Sequence, residues 1–105
     1  MAIQRTQLVT GTLPFVLRIL GEEMAVRLLL TLKIGERRFG ELHKTVGGST
    51  KTVVSRLRAL ERDGLVTRTL YAEVPPRAVY ALTDKGRELA AIAEGLADWE
   101  RSWRS

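Results

Sequence analysis

The residues in this sequence that could do chemistry are basic side chains collected in one segment, residues 37–77. The segment holds nine Lys and Arg against four Asp and Glu, and its net charge of +5 equals the formal charge of the whole 105-residue chain. Guanidinium and ammonium groups bind phosphate, and an arginine can also pair with O6 and N7 of guanine. This concentration of charge indicates a polyanionic partner, with double-stranded DNA the strongest candidate.

Residue types that support catalysis or metal binding are scarce. The chain has no cysteine, which excludes disulfides and thiolate chemistry, and His43 is its only histidine. The acidic residues stand singly, so a carboxylate-only cation site is a remote alternative, and Gly47-Gly48 lacks the flanking pattern of a phosphate loop. We therefore expect no enzyme activity, no metal and no cofactor.

The bulk composition is that of one ordinary domain. The chain is 45% hydrophobic and 28% charged, which predicts a single folded unit over residues 1–105. Arg18 interrupts the apolar stretch from Leu13 to Leu20, and no basic segment with a following apolar run and cleavage site is evident at the start. We expect a cytoplasmic protein without a membrane partner.

Two predicted helices and the turn between them position the basic residues. Apolar residues at i, i+3 and i+7 predict a short helix over residues 39–46. After a tight turn at Gly47-Gly48, a helix capped by Ser49 or Thr50 is expected to run to about residue 63 and to end at Gly64. A short helix, a glycine turn and a longer helix form the pattern of a helix-turn-helix.

The next segment alternates and predicts two antiparallel strands. One strand covers residues 65–70 and the other Val79 to Leu82, while Pro75-Pro76 marks the loop from Ala72 to Arg77 because proline cannot supply ladder hydrogen bonds. A hairpin directly after a helix-turn-helix is a wing. The expected fold class is therefore mainly α with a small β-hairpin, a winged helix-turn-helix whose DNA-binding core spans about residues 36–83.

Flanking helices are predicted at residues 12–34 and 84–104. The first begins near Thr12 and Pro14, Gly21 separates it from a second, and the last repeats apolar residues at intervals of three, four, three and four. That spacing is typical of a coiled-coil seam, although packing within the same domain is the alternative. Two tryptophans at the far end of a terminal helix need a cover that so small a chain hardly provides. We therefore predict a homodimer through residues 12–20 and 84–104.

From Gly35 to Leu89 the chain resembles the HxlR-type winged helix-turn-helix regulators. The segments that carry the resemblance are Arg37–Leu42, Arg56–Glu61, Asp63–Val66 and Tyr71–Thr83, the last being very like the family motif V-P-P-R-x-x-Y-x-L-T. The resemblance implies a homodimeric DNA-binding regulator, bacterial or archaeal, whose N- and C-terminal helices form the dimer interface. Together with the seam it gives the interface residues Leu13, Val16, Leu17, Leu20, Leu89, Ile92, Leu96, Trp99 and Trp103.

Three features depart from the family pattern. Some members use a cysteine near the N-terminus as a redox or electrophile sensor, and this chain has none, so thiol sensing does not carry over. Gly21-Glu22-Glu23-Met24 stands where Gly-Gly-Lys-Trp is usual. Gly47-Gly48-Ser49 stands where Gly-Ile-Ser is common, so a slightly shifted start of the second motif helix is expected.

The second motif helix would enter the major groove as a recognition helix. Arg56 is the candidate for a two-pronged guanine contact, with a phosphate contact as the alternative, and Thr52 or Val54 could meet a thymine methyl. Arg77, placed at the wing tip, is expected to reach the minor groove or a phosphate unless it is merely solvated. The full predicted DNA-binding set is Arg37, Arg38, Lys44, Ser49, Thr50, Lys51, Thr52, Ser55, Arg56, Arg58 and Arg77.

These observations predict a sequence-specific DNA-binding transcription regulator that acts as a homodimer on a roughly palindromic operator. It would repress or activate according to where the operator lies. The alternatives are a winged-helix protein–protein assembly module and a non-specific nucleic-acid binder. An unknown small-molecule effector, if one binds, is expected near Trp99 and Trp103 or in the cleft between the dimer helices and the wing.

Overall fold

The predicted helical patterns form five helices in the part of the chain described here. The computed structural model describes residues 15–104, so Leu13 and the predicted helix start at Thr12 and Pro14 lie outside the described residues. The elements in chain order are α1 (Phe15–Leu20), α2 (Glu23–Ile34), β1 (Arg37–Arg38), α3 (Phe39–Val46), α4 (Thr50–Arg62), β2 (Val66–Tyr71), β3 (Arg77–Leu82) and α5 (Asp84–Ser102).

Local signals set the bounds of the helix-turn-helix. Ser49 is the N-cap of α4, and its Oγ accepts a hydrogen bond from the amide of Thr52 at 3.1 Å. Gly47 and Gly48 have φ angles of 74° and 79°, a region open mainly to glycine, which turns the chain between α3 and α4. Gly64, with φ 76°, ends α4 as predicted.

The β-structure has one strand more than the predicted hairpin. The sheet is antiparallel with the order β1-β3-β2, and β1 pairs Arg37 with Tyr80 and Arg38 with Val79. Strand β3 begins at Arg77, two residues before the predicted start, and Arg77 pairs with Tyr71. A strand of two residues is too short to show alternation, so periodicity does not predict it.

The core lies where α2 crosses the helix-turn-helix and the sheet. Helix α2 buries Ala25, Leu28, Leu29 and Leu32, and α4 buries Val53, Leu57 and Leu60. Leu42, Leu65, Leu82 and Leu89 complete the same cluster. Apolar packing therefore fixes one side of α4, and the opposite side is exposed to solvent.

Helix α5 starts directly on the junction between α4 and the wing. Thr83 caps α5 by accepting from the amide of Gly86 at 3.0 Å, and its hydroxyl donates to the carbonyl of Gly64 at 2.6 Å. Gly86 is required here because a Cβ at this position would overlap the carbonyl oxygen of Leu65.

Among the helices within residues 15–104, none is long and apolar enough to cross a membrane.

Candidate nucleic-acid interface

Helix α4 presents its polar and basic residues on the side opposite its buried face. Lys51 and Ser55 are exposed and lie across the helix from Val53 and Leu57. Thr50 and Arg62 are also exposed at the two ends of the helix. Lys51 and Ser55 thus mark the surface with which α4 would approach a groove.

Several cations of the basic segment make no ion pair in the part of the chain that the structure describes. The cations outside the segment are instead largely matched by acids: Arg27 pairs with Glu23, Lys33 with Glu94, Arg87 with Asp84, Arg101 with Asp98 and Arg104 with Glu100. The unmatched cations of the segment are Arg37, Arg38, Lys44, Lys51, Arg58, Arg62 and Arg68. Unmatched cations are available to phosphate groups, whereas matched ones are largely neutralised locally.

Arg58 and Arg68 both line a groove between α4 and the sheet. The groove has a volume of about 350 Å³, and Val54, Tyr80 and Glu61 also line it, although Glu61 forms no ion pair with either arginine in the described part of the chain. Arg68 stands on β2 opposite Tyr80, and this register turns it toward the recognition helix. The predicted DNA-binding set does not contain Arg62 or Arg68, because local sequence does not reveal the register of the sheet or the exposure of this end of α4.

Arg56, the candidate for a guanine contact, lies on a flank of α4 and is less exposed than Lys51 and Ser55. Its Nε atom is 3.1 Å from Oε2 of Glu22, at the start of α2, so the side chain lies on the flank of α4 that faces α1 and α2. A groove of about 290 Å³ on this flank is lined by Arg18, Ile19, Asp63 and Arg56 itself. An acid from another helix holds this arginine, and helical spacing along α4 alone does not reveal such a partner.

Arg77 is likewise held inside the wing rather than extended from its tip. Its Nη2 atom is 3.0 Å from Oε1 of Glu73, and its guanidinium lies 4.2 Å from the centre of the Tyr71 ring. The side chain is only 28% exposed. Val74 instead forms the exposed tip, so Arg77 stiffens the base of the loop.

The remaining predicted site residues divide between structural and exposed positions. Ser49 and Thr52 are joined through their hydroxyls at 2.9 Å as part of the α4 cap. Arg37 Nη1 donates to the carbonyl of Glu36 at 2.9 Å, and the amide of Arg38 donates to Glu41 at 3.0 Å, so Glu41 meets the backbone of Arg38 and not its guanidinium. Lys44 is exposed on α3.

His43, the single histidine, stabilises the turn of the helix-turn-helix. Its Nε2 atom lies 2.8 Å from the carbonyl oxygen of Gly48, and its ring stacks on Phe39 with the centroids 5.8 Å apart. Within residues 15–104 no group of three or more His, Asp or Glu residues could hold a metal ion.

A second surface, formed by α1 and α5, is apolar rather than basic. Ile92, Leu96, Trp99 and Trp103 are 56%, 54%, 66% and 77% exposed, and Leu17 on α1 is exposed as well.

Leu89 is buried in the core of its own domain, so the first position of the predicted seam faces inward. Val16 and Leu20 are half-buried, and Val16 shares a groove of about 230 Å³ with Leu89 and Ile92. Helix α1 therefore lies beside the start of α5.

Known proteins are similar to this chain in sequence and in architecture. An uncharacterized HTH-type transcriptional regulator of Methanothermobacter thermautotrophicus is 41% identical over 78 residues, which cover 73% of this chain and 60% of the relative. The uncharacterized HTH-type transcriptional regulator YtfH of Escherichia coli is 38% identical over 85 residues, which cover 80% and 68%. The chain thus spans about two thirds or less of the length of these relatives.

Solved structures agree with this relationship. The redox regulator HypR in its oxidized form has a TM-score of 0.76 at 33% identity, over 87% of this chain and 95% of HypR. The reduced form of the transcriptional regulator YodB from Bacillus subtilis also has a TM-score of 0.76, at 26% identity, over 98% and 95%. The family model described as HxlR-like helix-turn-helix matches residues 19–105. The chain belongs to the HxlR-like helix-turn-helix family.

Proposed function

We propose that this chain is a sequence-specific DNA-binding transcription regulator that acts as a homodimer on a roughly palindromic operator. The observation that carries the proposal is the set of unmatched cations around α4 and the wing, in a chain whose other cations are largely paired. The names of its relatives as transcriptional regulators point the same way.

Lys51 and Ser55 are the side chains best placed to read bases. Both stand on the outer face of α4 in its first two turns, and the N-terminal part of a recognition helix is the part that meets base edges. A lysine can donate to O6 and N7 of guanine, and a serine can donate to or accept from several bases. This assignment replaces Arg56, which Glu22 holds on the other flank.

Lys44, Arg58, Arg62 and Arg68 are the phosphate contacts in this proposal. They surround the outer face of α4 from α3, from the far end of the helix and from the wing. Each phosphate neutralised by Lys or Arg releases counterions, so these residues would determine affinity and its salt dependence rather than sequence preference.

A second copy of the chain is the proposed cover for the exposed apolar side chains of α5. Leu96 and Trp99 lie more than half exposed on one face of a terminal helix beside α1, which favours pairing of two chains across this surface. A two-fold axis there would present two recognition helices. Two half-sites about one helical turn (~34 Å) apart would then form the operator.

The test is selection of bound fragments from a random duplex pool, with the enriched site measured at two salt concentrations. An enriched palindrome with half-sites about one turn apart is the expected result. Salt-sensitive binding without an enriched site would indicate a non-specific nucleic-acid binder. Absence of binding at low salt would favour a protein–protein assembly module. HypR is described as a redox regulator, but this chain cannot sense a redox change through a thiol, because its 105 residues contain no cysteine.

A further inference from the structure

The first turn of α2 touches the helix-turn-helix at two separate points. Oε2 of Glu22 lies 3.1 Å from Nε of Arg56 on the recognition helix. The terminal methyl of Met24 lies 3.1 Å from the position that a Cβ of residue 48 would occupy, so it rests against Gly48 in the turn. Glu22 and Met24 both belong to the segment that departs from the Gly-Gly-Lys-Trp pattern.

Glu22 is itself fixed to its own helix and to α1. The same Oε2 atom accepts a hydrogen bond from the amide of Ala25 at 2.7 Å, which caps α2. The amide of Glu22 donates to the carbonyl of Ile19 at 3.0 Å, and that of Gly21 donates to Leu17 at 3.1 Å. The carboxylate therefore stands at a defined place at the corner between α1 and α2.

The Nε atom of Arg56 lies against this carboxylate. The Nε atom is buried and makes no hydrogen bond, so its contact with Glu22 is an ion pair without hydrogen-bond alignment. The side chains of Arg56 and Glu22 are 40% and 37% exposed, and a pair this open contributes little to the free energy of folding. Its larger consequence is the position in which it holds the Arg56 guanidinium.

We propose that Glu22 and Arg56 form a positioning link that orients the recognition helix on the α1–α2 corner and withholds the Arg56 guanidinium from DNA. The inference rests on the DNA-binding function proposed above. A released arginine on α4 would be free to contact a phosphate, and the gain would be largest on DNA where α4 makes no base contacts that fix its register. Specificity is a difference between affinities, so the acid increases specificity by weakening binding to the wrong DNA.

Glu22→Gln tests the link, with Glu23→Gln as its matched control. Both variants lose one negative charge in the same turn, but Glu23 pairs with Arg27 of its own helix and the glutamine at 22 can still cap Ala25 through its amide oxygen. Two quantities are measured on the full chain: the affinity ratio between the selected operator and a scrambled duplex, and amide hydrogen exchange over residues 47–56.

The expected result is specific to Glu22. We expect Glu22→Gln to lower the affinity ratio about five-fold, mainly through tighter binding to the scrambled duplex, and to speed exchange over residues 47–56 about three-fold. Glu23→Gln should stay within about two-fold of the unsubstituted chain in both measurements. Arg56→Gln in the Glu22→Gln background should return the scrambled-duplex affinity to its original value, since the freed cation is then gone.

Several outcomes would overturn the link, and they differ from failure of the DNA-binding proposal. Equal exchange in the Glu22 and Glu23 variants would reject the positioning role whether or not DNA binds. A ten-fold or larger loss of operator affinity in Arg56→Gln alone would show that Arg56 contacts DNA directly. If the unsubstituted chain selects no site, the function fails, and the exchange measurement still decides whether Glu22 orients α4.

Discussion

The basic surface around α4 and the apolar surface of α5 differ in whether their cations are paired with acids. On α5, Arg87 and Arg101 each pair with an acid three residues away on the same helix, and Arg104, just beyond the helix end, pairs with Glu100. This pairing leaves apolar side chains as the distinctive feature of that surface. Around α4, Lys51, Arg58 and Arg62 have no such acid partner, although acids stand near them in the sequence. One surface is suited to a polyanion and the other to an apolar partner.

The net charge of a surface is less informative than whether its cations are paired with acids. Residues outside 37–77 contain as many cations as acids, and most of their cations that the structure describes are neutralised by neighbours. Within the segment, Arg56 and Arg77 each pair with an acid, and the DNA contacts expected of them stay predictions.

Placing a charge in the apolar surface should have the greatest effect. We expect Leu96→Asp to separate the proposed dimer and to lower operator affinity by about 100-fold, because one recognition helix on its own loses the gain from two linked sites. Sedimentation and operator titration measure the two effects. Ala97→Asp, an exposed position one residue away on α5, is the control and should change neither by more than about three-fold. A monomer that still binds the palindrome tightly would contradict the role given to α5.

The junction between the two surfaces should be the most sensitive point for stability. In Gly86→Ala the new Cβ meets the carbonyl oxygen of Leu65, a backbone atom that cannot move aside without shifting the wing. We expect a loss of about 3 kcal/mol in the free energy of unfolding, measured by urea denaturation. Gly95→Ala, in the same helix with open space around it, should instead stabilise the protein by about 0.5–1 kcal/mol. Equal effects of the two substitutions would show that α5 does not press on Leu65.

Removing a cation from the outer face of α4 tests whether a cation without an acid partner contributes more to DNA binding than a paired one. We expect Lys51→Ala to weaken operator binding by about 1–3 kcal/mol and to relax the preference at one symmetric position. Lys33→Ala is the control, because Lys33 already pairs with Glu94 at 2.8 Å, and its operator affinity should stay within about two-fold. A uniform loss on all sequences would make Lys51 a phosphate contact instead.

The sequence predicted the features that depend on local signals. Ser49 and Gly64 fix the ends of α4, because a cap and a left-handed glycine act within a few residues, and the buried stripes of α2 and α4 follow from periodicity. The features it missed depend on contacts between distant segments. Strand β1 needs β3 beside it, and Arg56 needs an acid from α2. Leu89 continues the seam in sequence but faces the core, since spacing alone does not distinguish an interior from an interface.

The smallest predicted effect concerns Arg68, which is not in the DNA-binding set predicted from the sequence. It lies with Arg58 in the groove between α4 and the sheet and has no acid partner in the described chain. As a phosphate contact, its loss in Arg68→Ala should weaken binding to operator and scrambled DNA alike and reduce the slope of log affinity against log salt by about 0.9. Arg104→Ala provides the comparison, because Arg104 pairs with Glu100 at 2.9 Å on the opposite surface and should leave the slope unchanged. Equal changes in slope would mean that pairing with an acid does not decide which cations meet DNA, and the contrast between the two surfaces would then be one of position alone.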